Sequence, residues 1–404
     1  MTTIIIGGGA SGLFSAYSSA LKGNKVILIE KNEKLGKKIY ITGKGRCNLT
    51  NNVLPNEFIN NVVVNSKFLF SAINNFSSQD VIDFFQNNGL KLKIERGNRV
   101  FPESDHASDV TKTLEKVIRK LGVEILLNTN VTKIEKISNE FKVYTDKDVH
   151  ISQSVIVCTG GLSYPLTGST GDGYIFAKHL GHNIIKPIPA LCGIQLKGND
   201  FSDLQGLSLK NVGIKFYNQS KVIYQDFGEM LFTHFGISGP IILSASSIVN
   251  KFDLSNLRIV IDLKPALSDD ILDNRLIKEL NENSSKEVCN MLRSLMPKQL
   301  ILLILKNAGI SSKKICSQIN KEERTRLIFA IKNLTFNLDS LRNIDEAIVT
   351  SGGVNVKEIN PKTMESKLVK GLFFAGEVID VDAFTGGFNL QIAFSTGYLA
   401  GQNS

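Results

Sequence analysis

Residues 3 to 30 constrain this chain more than any other stretch. An apolar run, Ile4 to Ile6, breaks into Gly7, Gly8, Gly9, Ala10, Ser11 and Gly12. A helical pattern follows to Leu21, and a second apolar run, Val26 to Ile29, ends at Glu30. The order is strand, turn, helix, strand. Gly7 permits the tight turn, Gly9 lets backbone approach a pyrophosphate, and Gly12 lets the helix pack closely on the strand. The N–H groups of the first turn, from Gly9, Ala10 and Ser11, and the positive end of the helix dipole then face the phosphates. Glu30 lies eighteen positions beyond Gly12, where a carboxylate accepts both ribose hydroxyls of an adenosine and disfavours a 2′-phosphate. An adenine dinucleotide is therefore expected, with this stretch leaving FAD and NAD open.

The length of 404 residues calls for two or three domains with cores of their own. The longest apolar run, Leu300 to Leu305, is far shorter than the roughly 18 residues that span a bilayer. Residues 12 to 21 resemble the apolar part of a secretory signal. The glycine turn already begins at Gly7, so cleavage there would destroy the fold. A cytoplasmic chain with no membrane association is expected. The five cysteines are odd in number, scattered, and form no CxxC, which excludes a disulfide framework, a zinc knuckle and a dithiol reductase. No histidine pairing suggests a metal.

The net charge is +9, and part of the excess is local. Lys22 to Arg46 holds eight basic residues, Lys31, Lys37 and Lys38 among them, against Glu30 and Glu33, which suits a neighbouring diphosphate. Val288 to Lys321 holds six basic residues and no acid. That segment reads either as a solvated helix face or as a surface for RNA or another polyanion.

After Glu30, residues 39 to 51 form a glycine loop. Thr42, Gly43, Arg46, Cys47 and Asn48, with Lys37 and Lys38, complete the pyrophosphate cage and lead toward a redox ring. Cys47 has two readings, a redox or nucleophilic thiol and a packing or backbone-fixing group. Residues 66–88 and 108–121 are helical, 90–102 extended, and 123–152 a run of short strands. One of them brings Val131 beside an adenine. Ser154 to Cys158 is a strand into Thr159, Gly160 and Gly161, and ThrGlyAspGly at 170–173 opens a helix. Pro187 and Pro189 mark a boundary. Residues 191–265 alternate as strands, with a hairpin turn at 218–220, and residues 269–333 are helical. Dinucleotide-domain signals then resume. Ala347 to Thr350 is a strand into SerGlyGly. A second strand ends at Gly376 and Glu377, and a glycine pair ending at Gly387 opens a last helix through Asn389 and Leu390. That N-terminus is placed to hydrogen-bond a flavin ring and to stabilise the negative charge that its reduction creates.

The strand into ThrGlyGly, followed by ThrGlyAspGly, is similar to the FAD domain of the fumarate reductase and succinate dehydrogenase flavoproteins, and no second GxGxxG for NAD is present. FAD is then the expected dinucleotide. GlyGlyGlyAlaSerGly, GlyLysGlyArgCysAsnLeuThrAsn, ThrGlyGlyLeuSerTyrPro, PheThrHisPheGlyIleSerGlyPro, ThrMetGluSerLys and the terminal GlyGlyPheAsnLeuGln together resemble the BaiN-like bacterial flavoproteins, also called aminoacetone oxidase family FAD-binding enzymes. The resemblance implies an α/β, Rossmann-like FAD domain interrupted by an inserted β-barrel-like and helical domain. On that reading residues 1–190 and 345–404 form the FAD domain, 191–268 and 334–344 the β-rich insertion, and 269–333 its helical part.

The candidates for chemistry are His234, Tyr164 and Cys47. His234 lies in the PheThrHisPheGly segment and is placed there to face the flavin, although a histidine that merely holds glycine-rich backbone fits equally. Two functions compete. One is an FAD oxidoreductase that moves hydride from NAD(P)H, acting as a transient donor, or from an amine, to a small-molecule acceptor. The other is a flavoprotein acting on RNA through 288–321, or holding FAD as a structural or sensing ligand.

Overall fold

A computed structural model describes residues 1–404, and the chain divides into two compact units, Met1–Ala190 with Asn343–Ser404, and Leu191–Arg342. The first is built on a five-stranded parallel sheet. From one edge its strands are Leu372–Phe374, Ser154–Val157, Thr2–Ile6, Lys25–Ile29 and Glu124–Leu126. The central strands are apolar on both faces, as a sheet covered by helices requires. The helix Ala10–Leu21 packs on it and crosses the terminal helix Phe388–Asn403. Around that crossing Phe14 lies 4.8 Å from Phe394 and 5.1 Å from Phe76, ring centre to ring centre. Tyr398 stacks on Phe76 at 4.2 Å.

The prolines read as a boundary lie inside a strand. Ile184–Ala190 pairs antiparallel with Val349–Val354, a strand that runs on through the SerGlyGly placed after the expected strand Ala347 to Thr350. Proline is tolerated because the sheet has only these two strands, both edges, and the register shifts between Ile185 and Ile188.

Behind this sheet His182 is 3% exposed, with Nε2 2.7 Å from Ser366 Oγ. That hydroxyl already accepts the amides of Leu368 and Val369, so its proton points at Nε2, which must be bare. Burial pushes the imidazole below its usual range. The unfolded chain therefore binds a proton that the folded chain refuses. The resulting stability is complete above about pH 6.5 and is lost as the pH falls from there through the folded value. Thermal melts between pH 7.5 and 5 are expected to fall less steeply for His182→Gln than for the wild-type protein (a window set about the ordinary histidine value). Parallel curves would show that His182 is not responsible.

The second unit is a closed six-stranded barrel. Ile194–Leu196, Gly236–Ser238, Lys221–Thr233, Ser208–Asn218, Leu257–Asp262 and Leu334–Leu341 neighbour one another in that order, and the last pairs back to the first. Inward residues alternate, as in Leu257, Ile259 and Ile261. Residues 221–233 form one continuous strand; its register against Ser208–Asn218 slips at Ile223, between the pairs Phe216–Tyr224 and Tyr217–Val222, and again opposite Lys210 and Asn211 of the partner strand. The helices Asp269–Glu282, Lys298–Ala308 and Lys321–Lys332 share one apolar core with the barrel, so the helical insertion is not a separate body. A further helix, Pro240–Val249, lies in the stretch expected to hold strands alone. No helix of the chain is long and apolar enough to cross a membrane.

Candidate dinucleotide site

The glycine turn has the shape a dinucleotide needs. Gly7 has φ +102°, and a Cβ there would lie 2.6 Å from the Cys158 carbonyl oxygen. A Cβ on Gly12 would collide with the Gly7 carbonyl, whereas one on Gly9 would meet nothing within 4 Å. Backbone is thus packed tightly at two glycines and faces open space at the one between. No side chain caps the helix that begins at Ala10, and its first turn carries no acid. The amide end is left for an anion. Glu30, 8% exposed, accepts the Gly8 amide at 2.7 Å and the Asn32 amide at 2.8 Å. Its carboxylate is thereby held at the turn. The Thr129 amide donates to the Glu30 carbonyl at 3.1 Å, tying to it the segment that leads into buried Val131.

Three segments distant in sequence meet on Glu377. Its carboxylate accepts the Thr350 amide at 2.8 Å, Ser163 Oγ at 2.8 Å and Lys38 Nζ at 2.6 Å, and Lys38 also reaches Ser163 Oγ at 2.5 Å. Thr350 Oγ1 accepts the amides of Leu162 and Ser163. A Cβ on Gly161 would press to 2.7 Å from Thr350 Cβ, which explains the second glycine of ThrGlyGly. Gly160 has φ +73°, and Gly376 has φ +79° beside Ser11. Lys38 and Glu377 were readable as single residues. Ser163 and Thr350 were not, although both stand in or against the ThrGlyGly and SerGlyGly motifs.

Tyr164 follows directly. Its backbone is left-handed, at φ +53°, a rare state for a bulky side chain. Its amide donates to the Asp345 carbonyl at 3.3 Å, its carbonyl accepts the Thr167 amide at 2.9 Å, and Lys38 Nζ lies 6.0 Å from its ring centre. Burial pushes its phenol up, so it carries its proton at neutral pH.

Several expected contacts have other partners. Residues 37–41 are a short helix, and Thr42–Gly45 a tight turn in which Gly43, Lys44 and Gly45 are left-handed. The Arg46 guanidinium is bound by Glu95 and by Asp105 at 2.6 Å, and it lies over Phe101 at 4.3 Å. Lys31 pairs with Asp172 at 2.7 Å and Lys37 with Glu33 at 3.1 Å. These three cations face carboxylates, and the acids that hold Arg46 and Lys31 lie far away in sequence. Cys47 has no exposed surface, a left-handed backbone at φ +60°, and a thiol pushed up to about 12 by burial. An activated thiolate needs the opposite environment. The packing reading of Cys47 therefore replaces the nucleophilic one.

Asn389 pairs with both the amide and the carbonyl of Ala383, at 3.0 and 2.8 Å, and so closes a loop. Leu390 is half-buried against the core. Gly387, at φ +100°, seats the terminal helix on Thr50, where a Cβ would lie 2.5 Å from backbone. That helix too has no side-chain cap and no acid in its first turn. Asn48 Oδ1 and Thr159 Oγ1 are buried with no hydrogen-bond partner, two polar atoms the chain itself leaves unsatisfied. Two acid-free helix ends, a glycine-lined backbone and a ribose-type carboxylate fit FAD.

His234 belongs to the barrel unit. It is exposed in the turn between Thr233 and Gly236, with its ring 5.1 Å from Phe235, over which Arg342 lies at 4.6 Å. The PheThrHisPheGlyIleSerGlyPro segment contains the strand Gly236–Ser238 and the start of the Pro240–Val249 helix, entered through Gly239 at φ +96°. Its glycines thus serve the barrel.

Fold and site together define a Rossmann-type flavoprotein oxidoreductase. The family described as HI0933-like protein Rossmann domain matches residues 1–403, and the chain belongs to it. A ribosomal RNA dihydrouridine synthase of Haemophilus influenzae is 33% identical over 411 residues, covering 98% of this chain and 96% of that protein. A 3-dehydro-bile acid delta(4,6)-reductase of Clostridium scindens is 30% identical over 402 residues, covering 98% of this chain and 97% of its own length. Among solved structures, a flavocytochrome c3 fumarate reductase covers all of this chain and 78% of its own at TM-score 0.52 and 15% identity. A 3-ketosteroid-delta4-(5alpha)-dehydrogenase of Rhodococcus jostii covers 99% and 96% at 0.53 and 12%. At such identities these two attest the fold alone.

Proposed function

We propose that the chain is an FAD-dependent reductase that saturates a carbon–carbon double bond conjugated to a carbonyl, with a uracil ring of ribosomal RNA as acceptor. The observation that carries this reading is that two whole-length relatives bear names describing the same bond change. A dihydrouridine is a uridine with two hydrogens added across the bond next to its carbonyl, and a 3-dehydro delta(4,6)-reductase acts on alkenes conjugated to a ketone. RNA is preferred to a steroid because the chain carries a net charge of +9.

Held in this site and reduced, FAD would supply hydride chemistry, directed at the carbon remote from the carbonyl. The other hydrogen is a proton, delivered to the neighbouring carbon. The balance is NAD(P)H plus a proton plus the alkene, giving NAD(P)⁺ and the saturated ring, with NAD(P)H as the transient donor. Glu30 and the first glycine turn hold the adenosine and pyrophosphate. Lys38 and Glu377 fix the geometry around Ser163, and Tyr164 donates the proton.

Anaerobic addition of NADPH or NADH should bleach the flavin. Ribosomal RNA from cells lacking the protein should then restore its colour and acquire dihydrouridine by mass spectrometry. Recovery with a 3-oxo delta(4,6) steroid and none with RNA would move the assignment to the steroid. Recovery with neither would reject it.

A further inference from the structure

We propose that the helical flank of the barrel unit, residues 288–332, is the face on which RNA docks; this rests on the RNA reading above and adds a place to it. Nine Lys or Arg stand against two acids between Val288 and Lys332, seven net positive charges where the whole chain has +9. Ordinary surfaces intersperse the signs.

Pairing accounts for only part of the excess. Lys314 is held by Glu323 at 2.6 Å, Lys332 by Asp262 at 2.8 Å, Lys306 by Asp200 at 3.0 Å, and Arg324 by Asp273. Arg293, Lys298, Lys313 and Lys321 are exposed and form no ion pair. The two longer helices lie against each other, with Arg326 Nε donating to the Ala308 carbonyl at 2.9 Å. On the first, Lys298, Leu302 and Lys306 recur at every fourth position and share an outward stripe. Two large apolar side chains of these helices are exposed, Leu302 between Lys298 and Lys306 at 65% and Phe329, one turn from Arg326 and Lys332, at 67%. A phenyl ring so exposed adds little to the core. Cations that track phosphates, interleaved with an apolar ring on which a base can stack, are the elements of a single-strand-binding surface.

The test uses the full-length holoenzyme and a fluorescent uridine-containing single-stranded RNA. The combined variant Arg293→Ala, Lys298→Ala, Lys313→Ala, Lys321→Ala is compared with a control that also removes four exposed cations, Lys91→Ala, Lys112→Ala, Lys116→Ala, Lys120→Ala, the last three on the exposed face of the Ala107–Lys120 helix. The first is expected to lower the slope of log affinity against log salt by roughly 3, and to weaken binding at least about tenfold at moderate salt. Phe329→Ala should weaken it by about fivefold or more with the slope unchanged. FAD content and NAD(P)H-driven bleaching should stay at wild-type levels in all three. Equal losses in both lysine sets, no loss in the first, or binding to anionic vesicles in place of RNA would overturn the docking face. A wild-type protein that binds no RNA yet reduces a small conjugated ketone would instead remove the RNA reading itself.

Discussion

Gly397→Val is expected to yield protein that melts roughly 6–12 °C lower and holds little or no FAD. The terminal helix meets the first helix backbone to backbone: a Cβ on Gly397 would lie 2.9 Å from the Ser11 carbonyl carbon and 3.0 Å from its Cα. One turn on, a Cβ on Gly401 would lie 3.0 Å from the Ser19 amide nitrogen. Ser15 Oγ donates to the Gly397 carbonyl at 3.0 Å and would lose that bond as the helices separate. Neither backbone can yield locally. Ser11 sits in the dinucleotide turn, and Gly7 on the same turn is pinned against Cys158. Overpacking of this kind costs about 3 kcal/mol, and for a unit of this size each kcal/mol moves the midpoint about 2–4 °C. The helices can part only by dragging the first amides of Ala10–Leu21 out of line, so cofactor loss should accompany the fall in stability. Thermal melts and the flavin absorbance of purified protein measure both. Wild-type values for the two would refute the close-approach argument, and Gly397→Ala should fall between.

That crossing shows where a sequence stops being informative. Gly7, Gly9 and Gly12 declare themselves because the strand, helix and terminal acid around them form a pattern with a known physical purpose. Gly397 and Gly401 sit inside an apolar helix with no such frame, and their function depends on a partner helix almost four hundred residues earlier. The Ile184–Ala190 strand was hidden for a related reason. Its prolines forbid a central strand and permit an edge, and only the pairing with Val349–Val354 reveals that it is an edge.

In the site, residue types were legible and partners were not. A run of lysines beside a phosphate-binding turn looks like a phosphate cage until Asp105 and Asp172 arrive from elsewhere in the fold to neutralise Arg46 and Lys31. Lys38 shares their composition and local context, yet it alone reaches the Ser163, Thr350 and Glu377 network. Cys47 fails as a nucleophile through burial, a quantity the motif GlyArgCysAsn does not encode.

Tyr164→Phe is expected to slow reoxidation of the reduced protein by its unsaturated acceptor by roughly a hundredfold to ten-thousandfold, the usual contribution of a positioned general acid. Reduction of the flavin by NAD(P)H should keep its wild-type rate, because that half of the cycle needs no proton from the phenol. Three observations favour Tyr164 over the other candidates. Its left-handed backbone stores strain that the turn must hold in place, through Asp345 and Thr167. Its ring centre stands 6.0 Å from Lys38 Nζ, beside the Ser163 and Glu377 cluster. Its phenol is pushed up by burial and so enters the reaction protonated, whereas Cys47 is sealed inside the core. The variant removes one oxygen and keeps the ring, so folding and FAD content should not change. A solvent deuterium effect on reoxidation should be present in the wild type, and the residual rate of the variant should rise with added weak acids that can reach the ring. His234→Gln supplies the contrast: its imidazole lies exposed in a barrel turn, and the same half-reaction should proceed near the wild-type rate. If Tyr164→Phe reoxidises normally while His234→Gln stalls, the proton comes from the histidine and the assignment to Tyr164 is wrong.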